Sequence, residues 1–153
     1  MSKIAVVYWS GTGNTEIMAN CVADGVKDAG GEVEVFTASE FNADKVKEFE
    51  KVALGCPSMG AEQLEEAEFE PMYESIKGDL SGKAVVLFGS YGWGNGEWMD
   101  AWADDVKGAG ANLVADPLIL NETPDDAGED DCRALGDSSW RSEERRVGKE
   151  CRS

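Results

Sequence analysis

A repeated pairing narrows the fold most: a short, nearly unbroken apolar run, then a turn or loop rich in Gly, Ser or Pro, then a helical pattern. Lys3–Tyr8 (KIAVVY), Lys51–Cys56 (KVALGC) and Lys83–Ser90 (KAVVLFGS) are such runs. Successive strand residues point to opposite faces, so a run that is apolar almost throughout must be covered on both sides. Glu32–Thr37 (EVEVFT) alternates polar and apolar residues instead, which places it nearer a sheet edge. Asn112–Leu120 reads as a fifth extended segment. Helical patterns lie between: Thr15 to about Ala29, with Ile17, Met18, Cys21, Val22, Gly25 and Val26 on one stripe and Gly30-Gly31 as its stop. A short helix over Ala43–Glu50, one over Pro71–Lys77 and one over Glu97–Lys107 follow, and Pro124-Asp125-Asp126 opens a last one reaching about Gly136. Trp98 and Trp102, four apart on the Glu97–Lys107 helix, read as core. Five strands alternating with helices predict an α/β fold, a doubly wound five-stranded parallel sheet with helices on both faces.

The chain's 153 residues suit one domain with a single core. It contains no histidine, which removes Ser-His-Asp hydrolysis, Cys-His proteolysis and His-ligated zinc or haem. A formal charge of −17 argues against nucleic acid, whose binding rests on Lys and Arg. Cys21, Cys56, Cys132 and Cys151 are far apart and form neither a metal cradle nor a disulfide framework. No apolar run approaches the roughly 20 residues that span a bilayer, and the start lacks the regions of a signal peptide. A reducing, cytoplasmic setting without a membrane partner is the expectation. Residues 138–153 break character: five basic residues stand against three acidic ones, with almost no apolar pattern. They read as a cloning or reading-frame scar, with a genuine basic tail as the alternative. Without them, residues 1–137 carry 9 Lys and Arg against 28 Asp and Glu, a charge of −19.

In doubly wound sheets, ligands bind beyond the carboxyl ends of the strands. Three such ends carry candidate chemistry. Ser10-Gly11-Thr12-Gly13-Asn14-Thr15 joins a buried strand to a helix. Its glycines allow a tight turn that gathers amide hydrogens into one concavity, and its hydroxyls and the helix start add to an anion cradle. It lacks the lysine of a nucleoside-triphosphate loop, and Glu16 occupies the third glycine position of a dinucleotide fingerprint. A neutral cradle suits one terminal phosphomonoester; the plain alternative is a strand-to-helix turn capped by Thr15. Ser58-Met59-Gly60-Ala61-Glu62 and Ser90-Tyr91-Gly92-Trp93 occupy the other two ends. There a thioether and an aromatic ring suit the two faces of a flat heterocycle, or serve as simple packing.

Ser10–Thr15, the turn Met59-Gly60, the run Leu64–Pro71 (LEEAEFEP) and Phe88–Gly94 (FGSYGWG) together resemble the flavodoxins, over about residues 3–136 and in order. The direct passage through Asn112–Leu120 is similar to the short-chain group of anaerobes. The resemblance implies a sheet of order 2-1-3-4-5 and non-covalently bound flavin mononucleotide (FMN) serving low-potential one-electron transfer between redox enzymes. It implies phosphate on Ser10, Gly11, Thr12, Gly13, Asn14 and Thr15, and counts Ser58 among the cofactor-binding residues. It further implies Trp93 over the outer ring face, Met59 on the inner face, Glu62 accepting from flavin N3–H, and backbone groups of Ser90, Tyr91, Gly92 and Trp93 at the pyrimidine edge.

In this family the Gly60 peptide turns its carbonyl toward flavin N5 on the first reduction. Ala61 follows it where relatives often carry Asp or Asn, and Ala tolerates positive φ less well, so a weaker half-reduced form is expected. The acids Glu62, Glu65, Glu66, Glu68 and Glu70 are expected to lower the second potential. At ~10 Å and an effective dielectric of 40–80 each contributes roughly 0.4–0.8 kcal/mol, about 18–35 mV. Electropositive donor and acceptor oxidoreductases are the expected partners of a monomer. A flavin-dependent NAD(P)H:quinone reductase on the same fold is the alternative, although no nicotinamide fingerprint is present. A phospho-receiver domain is disfavoured, because Trp9-Ser10 and Cys56-Pro57 stand where its acids belong.

Overall fold

The computed structural model describes residues 3–9, 13–49, 51–56, 68–91, 97–113, 117–121 and 125–137. Strand β1 (Lys3–Tyr8) leads to helix α1 (Asn14–Asp28), edge strand β2 (Glu32–Thr37) and the single turn α2 (Ala43–Val46). Strand β3 (Lys51–Gly55), helix α3 (Phe69–Ile76), strand β4 (Ala84–Tyr91) and helix α4 (Glu97–Gly108) follow. The chain then adds β5 (Asn112–Leu113), β6 (Leu118–Asn121) and a helix α5 over 126–137. All the strand pairings are parallel, in the order β2-β1-β3-β4-β5, with β6 also on β4.

The expected doubly wound sheet is therefore present, with one refinement at its far edge. The fifth strand is two segments on the same side of β4. Leu113 lies opposite Val85 and Leu118 opposite Phe88, so five steps along the outer chain match three along β4. Two extra residues are taken up between the segments, a slip that the apolar pattern cannot show because it is a property of pairing.

The alternation of each strand divides the core in two. Ala5, Val7, Val52, Leu54, Val85 and Leu87 face α3 and α4, where Phe69, Met72, Tyr73, Ile76, Met99, Trp102 and Val106 close the layer. Ile4, Val6, Ala53, Val86 and Phe88 face α1 and α5, through Met18, Val22, Val26, Cys132 and Leu135. Trp102 is core, as the sequence suggests, meeting the rings of Phe69 and Tyr73 edge-on. The side chain of Trp98 lies outside the described residues. Helices α1 and α5 approach so closely that a Cβ on Gly25 would strike the Arg133 carbonyl, and one on Gly136 that of Val22.

Several helix boundaries differ from the sequence reading, three of them near the site or the core. α1 starts one residue earlier, at Asn14. α2 stops at Val46 rather than near Glu50, and Phe49 turns inward to join Phe36 and Phe41. α3 starts at Phe69, which places Pro71 in the first turn, where its missing N–H removes no intrahelical bond. The described cysteines Cys21, Cys56 and Cys132 are buried and form no disulfide with one another, and no helix among the described residues is long and apolar enough to cross a membrane.

Candidate functional site

Parallel pairing brings the carboxyl ends of β1, β3 and β4 to one edge. Tyr8 aligns with Gly55 and Gly55 with Phe88, and the ladder continues as Trp9 N–H donates to Gly55 O and Cys56 N–H to Phe88 O, both at 3.1 Å. From here the chain leaves into segments 10–12, 57–67 and 92–96. After β1 it runs to β2 on one side and later returns to β3 on the other. The sheet therefore has its topological switch point between β1 and β3, the place where doubly wound sheets bind ligands.

The start of α1 is built on Gly13. Its φ of +95° lies in the left-handed region, which a side chain disfavours, and a Cβ there would meet no atom within 4 Å. Its carbonyl accepts the first helical bond, from Ile17 N–H at 3.1 Å. Among the described residues no side chain caps this helix. The alternative of a turn capped by Thr15 is not what the helix start shows: the N-cap is Gly13, and the Thr15 hydroxyl reaches Ser90. It lies 3.1 Å from Ser90 Oγ, and both residues are buried, at 1% and 4% exposure.

Two further links fix the edge. Tyr8 OH donates to Glu16 Oε2 at 3.3 Å, tying the first turn of α1 to β1; burial, and then Glu16, raise the Tyr8 pKa. Trp9 Nε1 donates to Glu68 Oε1 at 2.9 Å, joining the end of β1 to the entry of α3 across the 57–67 segment. Neither contact was expected, because the partners are 8 and 59 residues apart and pairing at such separations leaves no local pattern.

Of the candidate site residues, Gly13, Asn14 and Thr15 sit together at the start of α1, and Ser90 and Tyr91 at the end of β4. The structure brings these two groups into contact through Thr15 and Ser90. Ser10, Gly11, Thr12, Ser58, Met59, Gly60, Glu62, Gly92 and Trp93, with Ala61, lie outside the described residues.

Two other chemistries find no support in the described residues. No group of His, Cys, Asp and Glu there could hold a metal ion. The Cys21 and Cys132 thiols are poor nucleophiles: burial raises the Cys21 pKa and pushes Cys132 up to about 12. What the edge offers is a helix start whose N-cap is a left-handed glycine, with two buried hydroxyls in contact beside it. That set fits a phosphate held by backbone amides.

Comparisons with known proteins point the same way. The family model described as flavodoxin matches residues 6–136. A flavodoxin of Megasphaera elsdenii is 47% identical over 136 residues, covering 89% of this chain and 97% of that one. A flavodoxin of Clostridium beijerinckii is 47% identical over 131 residues, covering 86% and 94%. The solution structure of two-electron reduced Megasphaera elsdenii flavodoxin superposes with a TM-score of 0.84 at 46% identity, covering 90% of this chain and 98% of that one.

Proposed function

The chain belongs to the flavodoxin family, and from that premise we propose that the carboxyl edge of its sheet holds FMN by the residues that the loops supply. It is an FMN-binding electron carrier, an electron-transfer flavoprotein rather than an enzyme. Bound FMN supplies the chemistry, accepting and releasing electrons one at a time. The fold topology agrees, and flavodoxin is itself one of the examples behind the switch-point rule.

The observation that carries the site assignment is the start of α1. With Gly13 left-handed at the N-cap, the helix start suits a phosphate, and Ser10–Thr15 would close around it. Ser58 would join that cradle, while Met59 and Trp93 would flank the ring, Glu62 would accept from N3–H, and backbone of Ser90–Trp93 would meet the pyrimidine edge. Glu68 and Glu70, both exposed at the entry of α3, would oppose added negative charge and keep the potential low.

Residues 138–153 would be a non-native basic tail on a domain of residues 1–137, and the carrier a cytoplasmic monomer that docks on electropositive faces of redox enzymes. Flavin absorbance and quenching of flavin fluorescence test the reading. Protein purified with FMN should be yellow and bind one equivalent, and Gly13→Val should weaken FMN binding by about tenfold or more. A colourless protein that fails to bind added FMN would overturn the assignment.

A further inference from the structure

We propose that Ser90 is a positioning residue for the phosphate site: its hydroxyl donates to Thr15 Oγ1 and so turns the Thr15 proton outward, toward the anion at the start of α1. The inference rests on the phosphate placement given above. Two hydroxyls in contact bring two protons, and only one can lie between them. Thr15 and Ser90 are 3.1 Å apart and all but fully buried, and among the described residues the pair has no further hydrogen-bond partner. Among the described residues one buried proton thus lacks an acceptor, a costly state unless a partner is supplied.

A phosphate is purely an acceptor and supplies what the pair lacks. The direction follows from position. If Thr15 donated to Ser90, the spare proton would sit on β4, against the layer formed by α1 and the sheet. If Ser90 donates, the spare proton sits on the first turn of α1, beside Gly13, where the helix end also favours negative charge. The second arrangement satisfies both groups. Ser90 then touches no part of the cofactor with its side chain, yet it sets the rotor that does.

The test titrates apoprotein with FMN and with riboflavin, which lacks the phosphate, following flavin fluorescence. Ser90→Ala should weaken FMN by about tenfold and leave riboflavin within about twofold. Thr15→Val should weaken FMN at least as much, and the double variant should be no weaker than Thr15→Val alone, since Ser90 acts only through Thr15. Thr15→Ser should retain FMN affinity. Should Ser90→Ala fail to fold, as judged by circular dichroism, Ser90→Cys carries the same test with a weak donor in place of the hydroxyl. An unchanged FMN affinity in the Ser90 variant, equal losses for both flavins, or additive losses in the double variant would overturn the proposal. If Thr15→Val lowers the FMN preference but the Ser90 variant does not, the phosphate placement stands and the role of Ser90 falls. If the wild type binds FMN no better than riboflavin, the placement itself falls.

Discussion

At the scale of single residues, the most informative charge is Asp105. Its Oδ1 accepts from Lys77 Nζ at 2.8 Å and its Oδ2 from Tyr73 OH at 2.7 Å, so one carboxylate pins α4 to α3 and its neighbouring turn. The Lys77 and Tyr73 hydrogen bonds hold the Asp105 carboxyl below its usual range, and the Asp105 bond holds the Lys77 ammonium above its own. Burial and Asp105 raise the Tyr73 pKa. Because a lowered carboxylate contributes above its unfolded pKa of about 3.9 and loses that as pH falls through the folded value, the sign is fixed. Asp105→Asn should cost about 1 kcal/mol in urea unfolding at pH 7, modest because the side chain is 41% exposed. The gap to wild type should close below pH ~4. An equal gap at pH 7 and at pH ~3 would show that packing, not charge, ties the helices.

At the scale of elements, the contact of α1 with α5 opposes helix propensity to steric fit. Gly25→Ala should gain up to about 1 kcal/mol of propensity, yet its Cβ would strike the Arg133 backbone, which cannot rotate away. A net loss of about 1–3 kcal/mol is expected. Gly108→Ala, at the end of α4 with no atom within 4 Å of its Cβ, should instead be neutral or stabilising by about 0.5 kcal/mol. Thermal unfolding of the two variants checks the opposite signs. Elements of this kind were largely legible in the sequence, because burial leaves a local trace: β1, β3 and β4 are apolar throughout, and α1 carries its stripe. The left-handed turn into α1 was legible through the glycine at 13. The Thr15–Ser90 pair was not, since its partners are 75 residues apart, and nor was the Tyr73–Asp105 bond across 32. The shortened α2 escaped because Phe49 reads as helical periodicity although its ring serves the cluster with Phe36 and Phe41.

At the scale of the whole molecule, a charge of −17 acts in two opposite ways. Self-repulsion strains the compact state, so added salt should raise the thermal midpoint by a few degrees. The same field would draw in an electropositive partner, so raising NaCl from about 50 to 500 mM should slow electron transfer with such a partner by about tenfold or more. Differential scanning fluorimetry and stopped-flow mixing across one salt series measure both. A rate that does not fall with salt would remove charge steering from the account of partner choice.

The slip between β5 and β6 has a consequence for how a chain of this kind can grow. Each segment holds β4 in its own register, so neither depends on the length of chain between them. The sheet therefore has a seam at which new sequence can be spliced without moving a single pair. A flexible insert of about ten residues between Ala115 and Asp116 should cost only the added closure entropy, about 1 kcal/mol, as read by urea unfolding. The same insert between Leu118 and Ile119 would part residues that pair with Phe88 and Gly89, and should abolish cooperative unfolding. A far edge built in two pieces gives this small carrier a place to acquire a further module while its strand ends stay where they are.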